Sequence, residues 1–186
     1  MKSIISTFAA AATIATIALA STGAQASDGT ITFTGSVTDT TCSIDAKADG
    51  SAKKDVTLPT VTNSTLGSIG ATAGATAATD LTFALSGCST EAKAVARFEN
   101  GPTINQTTGY LENMAPAGAQ NVQVRLLNAS HAPINVVTGE NNKLDDNGVA
   151  IVSGAAELKY FAEYYATGKA TAGPVKSSVE YTVDYQ

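Results

Sequence analysis

The stretch Gly173-Pro-Val-Lys-Ser-Ser-Val-Glu-Tyr-Thr-Val-Asp-Tyr-Gln186 decides how the rest of the chain is read. Val175, Val179, Tyr181, Val183 and Tyr185 share one parity; Lys176, Ser178, Glu180, Thr182 and Asp184 share the other. Ser177 is the one polar residue on the apolar side. A period of two carried by β-branched and aromatic residues predicts a strand with one buried face. At roughly 3.3 Å per residue it spans about 40 Å, longer than most strands. No turn or further strand follows it in this sequence, so its far edge is expected to need a cover. An apolar strand left bare at a sheet edge invites aggregation.

Other stretches repeat the pattern. Gly29, Ile31 and Phe33 alternate with Thr30, Thr32 and Thr34, predicting a strand just before Gly35. Val37 to Ile44, Ala92 to Phe98, Val122 to Leu126 and Leu158 to Tyr165 read as further strands, as does the run Leu81, Phe83, Leu85. Asp55 to Val61 reads as an edge strand broken at Pro59. Thr62 to Asp80, rich in Gly, Ala, Thr and Ser, reads as a long connection, and Gly109 to Gln120 as irregular. Asn100-Gly101-Pro102 marks a turn, and Asn147-Gly148 suits a tight hairpin. No stretch sustains a 3.6-residue period, so helix should be minor. Short strands separated by turn signals predict a β-sandwich in one domain.

The chain's start points to export. Met1-Lys2-Ser3 supplies a positive charge, Ile4 to Ala20 is apolar or small, and Ala24-Gln25-Ala26 forms an A-x-A cleavage site. Residues 1–26 are therefore expected to be a signal peptide, with Ala18-Leu19-Ala20 as the less favoured cleavage site. An anchor reading is disfavoured because the apolar run is short and rich in Ala and Thr. Losing Lys2 shifts the formal charge from −5 to −6. In an exported chain, Cys42 and Cys88 are most simply one disulfide. A metal or redox site would want a CxxC or accessory His ligands, and neither is present.

Catalysis finds no support. The single histidine, His131, lies in a turn-like Asn-Ala-Ser-His-Ala-Pro and reads as a surface residue. Asp145-Asp146 lacks the remainder of a calcium-binding loop, and Gly67, Gly70 and Gly74 do not match a phosphate-cradling spacing. The Asn63, Asn105 and Asn128 N-x-S/T triplets are expected by chance. An acidic balance without a basic patch argues against nucleic acid. No cofactor or metal is expected.

Four features together carry a resemblance. Gly29-Thr-Ile-Thr-Phe-Thr-Gly35 leads into Val37 and Cys42, and Leu81-Thr-Phe-Ala-Leu-Ser-Gly-Cys88 supplies the second cysteine. Tyr160-Phe-Ala-Glu-Tyr-Tyr-Ala-Thr-Gly168 precedes the closing run, which has Gly173 fourteenth from its end and Tyr185 penultimate. In these the chain resembles the chaperone–usher pilins, most closely the major subunits of type 1 fimbriae. The resemblance covers essentially the whole mature chain, with Thr90 to Gly154 the least diagnostic part.

The resemblance implies an all-β, incomplete immunoglobulin-like sandwich lacking its seventh strand, over residues 37–186, preceded by a donor-strand extension at 27–36. Gly29, Ile31 and Phe33 would enter a neighbour's groove. Gly173, Val175, Val179, Tyr181, Val183 and Tyr185 would form the groove and the chaperone-binding edge. The implied partners are identical or related pilin subunits in a head-to-tail filament, a periplasmic chaperone and an outer-membrane usher. The implied role is a shaft subunit of a cell-surface fimbria serving adhesion, or alternatively a minor adaptor or adhesive subunit. Folding of the extension back into its own domain is awkward, because only Thr34-Gly35-Ser36 separates Phe33 from Val37.

Overall fold

The computed structural model describes residues 42–47, 52–88 and 93–186. The expected signal peptide, the extension with Gly29, Ile31 and Phe33, and the first strand's start at Val37 lie outside the described residues.

Among the described residues nine strands follow in chain order: β1 (Ser43–Ile44), β2 (Thr72–Ala73), β3 (Leu81–Ser86), β4 (Lys93–Phe98), β5 (Leu111–Glu112), β6 (Val122–Leu127), β7 (Val149–Ala150), β8 (Ala155–Ala166) and β9 (Tyr181–Tyr185). All pairings are antiparallel. One sheet runs β1-β3-β8-β6-β5, with β2 also on β8, and the other runs β7-β4-β9. The twelve-residue β8 organises the larger sheet, its first half pairing with β3 and its second half with β6.

The core lies between the sheets. Phe83 and Leu85 from β3, Leu158, Tyr160 and Ala162 from β8, and Val124 and Leu126 from β6 are buried. Opposite them β4 presents Ala94, Ala96 and Phe98. Alternation put these residues on the inner face, as a pleated strand requires. The disulfide Cys42–Cys88 bridges the start of β1 to the residues just after β3. A smaller apolar cluster around Leu66, Ala119, Val122, Ala166 and Ala170 closes one end.

Several sequence expectations need correction. Asp55 to Val61, expected as an edge strand, belongs to no strand, and Gly109 to Gln120, expected to be irregular, holds β5. The closing run is one strand only from Tyr181 to Tyr185; Val175 to Glu180 keeps the burial alternation without belonging to a ladder, and Gly173 and Pro174 before it are both exposed. Asn147-Gly148 makes no hairpin. It ends a helical turn, Leu144–Asn147, with the Gly148 N–H bonded to the Leu144 carbonyl at 2.9 Å. Gly148 has φ −62°, whereas a type I′ turn needs positive φ. The Thr62–Asp80 connection also holds structure, a 3-10 turn at Asn63–Leu66 and the strand β2.

Candidate functional site

An open groove of about 680 Å³ runs along the sandwich between two extended segments. One rim is Lys53 to Leu58, and the other is Val175 to Tyr181. The floor is core: Phe83, Phe98, Leu111, Val124, Leu126 and Ala162. Along the first rim Lys54, Val56 and Leu58 are half-buried, while Lys53, Asp55 and Thr57 are exposed. Pro59 follows this rim, which has no strand partner among the described residues. From Lys53 to Val61 the backbone makes no hydrogen bond with another described residue.

Among the described residues the backbone of the second rim is bonded on its outer side only. The carbonyls of Pro174, Lys176 and Glu180 accept from the N–H groups of Ala119 (3.0 Å), Met114 (2.7 Å) and Glu99 (2.8 Å). The Ser178 carbonyl accepts from Thr103 Oγ1 at 2.7 Å. Asn113 clamps the same edge: its Nδ2 donates to Pro174 O and its Oδ1 accepts from Lys176 N–H, both at 3.0 Å. Successive peptide groups of an extended chain point to opposite edges. The backbone groups of Val175, Ser177 and Val179 therefore face the groove, and none bonds to a described residue. The groove thus has a hydrophobic floor and two backbone edges without a partner among the described residues. Such edges demand partners when covered, because a buried orphan N–H or C=O is costly.

Two side chains mark the groove further. Ser177 Oγ is buried and has no hydrogen-bond partner among the described residues. At the other end the Tyr181 ring lies on Phe83, with centroids 4.5 Å apart, and its hydroxyl donates to the carbonyl of Ala52, next to the opposite rim. Burial, and then the charge of Asp45, raises the Tyr181 phenol's pKa above its usual value. Lys54, ion-paired to Asp45 at 2.8 Å, sits 5.5 Å from the centre of the Phe83 ring.

Of the residues singled out by sequence, Val175, Val179 and Tyr181 lie together on one rim. Val183 and Tyr185 continue the same face past the groove and pack against the core. Gly173 sits before the rim, where a Cβ would come within 2.6 Å of the Ala119 nitrogen. Only glycine allows that approach. His131 is exposed, edge-on to Phe161 at 4.1 Å. Asp145 and Asp146 lie in the Leu144–Asn147 turn. Sequence reasoning missed Asn113, Thr103, Tyr181's hydroxyl bond and the whole role of Lys53–Leu58 as a rim. An Asn ahead of Ala-Pro-Ala-Gly signals a turn, not which distant carbonyl it will hold. A second recess of about 520 Å³ beside β4 is lined by Lys143, Asp145 and a paired set of charges, Arg97 with Asp184 at 2.7 Å and with Glu99 at 2.9 Å.

Residues 58–186 match the family described as FimA, type-1 fimbrial protein, A. The chain is 40% identical over 150 residues to the F17 fimbrial protein of Escherichia coli, spanning 78% of this chain and 80% of that one. It is 42% identical over 135 residues to the major fimbrial subunit SMF-1 of Stenotrophomonas maltophilia, spanning 70% and 77%. A minor fimbrial subunit, HifD of Haemophilus influenzae, is 37% identical over 142 residues, spanning 73% and 64%. Among solved structures, a chain of a chaperone–usher pilus studied for rod uncoiling superposes with a TM-score of 0.57 at 20% identity, over 86% of this chain and 96% of that one. That last likeness is one of fold.

Proposed function

The chain belongs to the type-1 fimbrial protein family, and we propose that it builds the shaft of a chaperone–usher fimbria by exchanging strands with its neighbours. Subunits of such fimbriae are structural proteins, exported through the periplasm to the cell surface. The observation that carries the reading is the groove, an apolar trough between two rims whose groove-facing backbone groups bond to no described residue. It has the form of a sheet edge awaiting one extended strand, the β-addition mode by which pilins and their chaperones recognise each other.

The strand that fits is the chain's own leading segment, delivered to a different copy. Residues 27–36 bring Gly29, Ile31 and Phe33 on one face. Burial of Ile31 and Phe33 against the floor contributes roughly 1.5–3 kcal/mol each. Ladder hydrogen bonds then satisfy both rims whatever the donor's side chains. A periplasmic chaperone strand holds the groove first, and the next subunit's extension replaces it at the usher. Because donor and acceptor surfaces differ, the contact is heterologous and propagates as a filament.

The test mixes chaperone-bound subunit with a synthetic Ser27–Ser36 peptide. Displacement of the chaperone supports exchange at this groove, and a peptide that never displaces it contradicts the proposal. Likeness to a minor subunit favours one second reading, an adaptor with the same groove. Electron microscopy of a deletion strain separates the two: loss of whole fibres marks a shaft subunit, and fibres of normal length mark an adaptor.

A further inference from the structure

The two rims of the groove are anchored very differently. The Val175–Tyr181 rim is bonded along its outer side to Glu99, Thr103, Asn113 and Met114. The Lys53–Leu58 rim has no backbone bond to any described residue. Val56 and Leu58 only lean against the core. Two directional contacts hold its start. One is the hydrogen bond from the Tyr181 hydroxyl to the Ala52 carbonyl, and the other is the Lys54–Asp45 ion pair. Ala52 is itself buried at 7% exposure, so its carbonyl has little access to water as a substitute partner.

Tyr181 is also well placed to transmit position. It belongs to β9, whose outer edge is fixed to β4 by the Phe98–Tyr181 register, and its ring is seated on Phe83, 1% exposed in the core. The phenol is thus a rigid arm from the fixed rim to the free one. We propose that Tyr181 is a positioning residue that pins the free rim and holds the groove open at the width of one strand before any strand arrives.

The inference rests on the reading of the groove as a strand acceptor and adds a kinetic consequence. Without the pin, the free rim must be ordered during capture, which slows entry. Once a strand is bound, hydrogen bonds to the incoming backbone hold the rim instead, so release is unaffected. Tyr181→Phe keeps the ring on Phe83 and removes only the bond to Ala52. Lys54→Gln removes the other anchor of the same rim and is expected to act in the same direction.

The full mature chain is diluted from denaturant, at low concentration, into excess fluorescent Ser27–Ser36 peptide. The peptide-dependent phase gives the capture rate, and a chase with unlabelled peptide gives the release rate. For Tyr181→Phe the expected result is capture slowed about fivefold, the scale of one ordinary hydrogen bond, with release within about twofold of the parent. Unchanged capture, or capture and release altered together with a lower melting point of the filled subunit, overturns the pin and leaves the groove reading standing. Failure of the parent chain to capture the peptide overturns both.

Discussion

The phenol oxygen of Tyr160, in the larger sheet, accepts a hydrogen bond at 3.0 Å from the backbone N–H of Ala96, in the middle strand of the smaller one. β7 pairs only with Lys93 and Ala94, so β4 beyond that point has no neighbour on this side among the described residues. Side chains take over at Ala96. Tyr160 meets its N–H, and Asn142 Nδ2 donates to its carbonyl at 2.8 Å. The bond ties the two sheets together in the middle of the core, where Tyr160 is 4% exposed and Ala96 0%.

Tyr160→Phe leaves the Ala96 N–H buried without a partner and removes almost no volume. The expected loss is about 1–3 kcal/mol, the cost of an orphaned buried donor. Denaturant unfolding of the peptide-filled subunit measures it, and an unchanged midpoint would mean that the bond carries no weight.

Burial pushes the Tyr160 pKa up to about 12 from its ordinary 10.0, against a smaller opposing effect of the Ala96 N–H. A phenol that holds its proton more tightly when folded leaves stability untouched below pH 10. Between about pH 10 and 12 the unfolded chain ionises first, so stability falls with rising pH. The total is on the order of 2–3 kcal/mol at 1.36 kcal/mol per pKa unit. Unfolding free energies measured across that range are expected to fall more steeply in the parent than in Tyr160→Phe. Parallel slopes would contradict the assignment.

The Cys42–Cys88 disulfide spans 46 positions and fastens β1, which is only two residues long among the described residues. Closing a loop of that length contributes about 3–4 kcal/mol on the chain-entropy model. The double replacement Cys42→Ala with Cys88→Ala is expected to lower stability by that order, and reduction of the parent by the same amount. Equilibrium unfolding in oxidised and reduced buffer provides the comparison.

Asn113 does for the second rim what a neighbouring strand would otherwise do. Asn113→Ala removes its bonds to Pro174 O and Lys176 N–H, and two more to Ala119 O and Ala115 N–H. The rim then loses its alignment, and affinity for the Ser27–Ser36 peptide is expected to drop about tenfold, near 1.4 kcal/mol. Titration with labelled peptide checks this.

The sequence made the inward faces of β3, β6, β8 and β9 legible because apolar residues recur at every second position in each, and a pleated strand turns alternate side chains to one face. It did not show that the closing run is a ladder only from Tyr181 onward, because burial alternation persists in Val175, Ser177 and Val179 without any strand pairing. Periodicity reports which side chains face inward and is blind to whether the backbone is bonded. The Lys53–Leu58 rim was hidden for the same reason, with Pro59 suggesting an edge but not what the edge borders. Asn113 and the Tyr181–Ala52 bond join positions 61 and 129 residues apart, and local pattern carries no trace of such pairs.

Amide hydrogen exchange at Val175, Ser177 and Val179 goes most directly to the claim that this edge is completed by a strand from outside. The measurement uses the dilute mature chain carrying Ile31→Asp and Phe33→Asp, which cripples donation while leaving the groove intact. The account predicts fast exchange at these three amides in the chain alone and strong protection once Ser27–Ser36 peptide is added. Amides already protected without the peptide, or left unprotected with it, would contradict it.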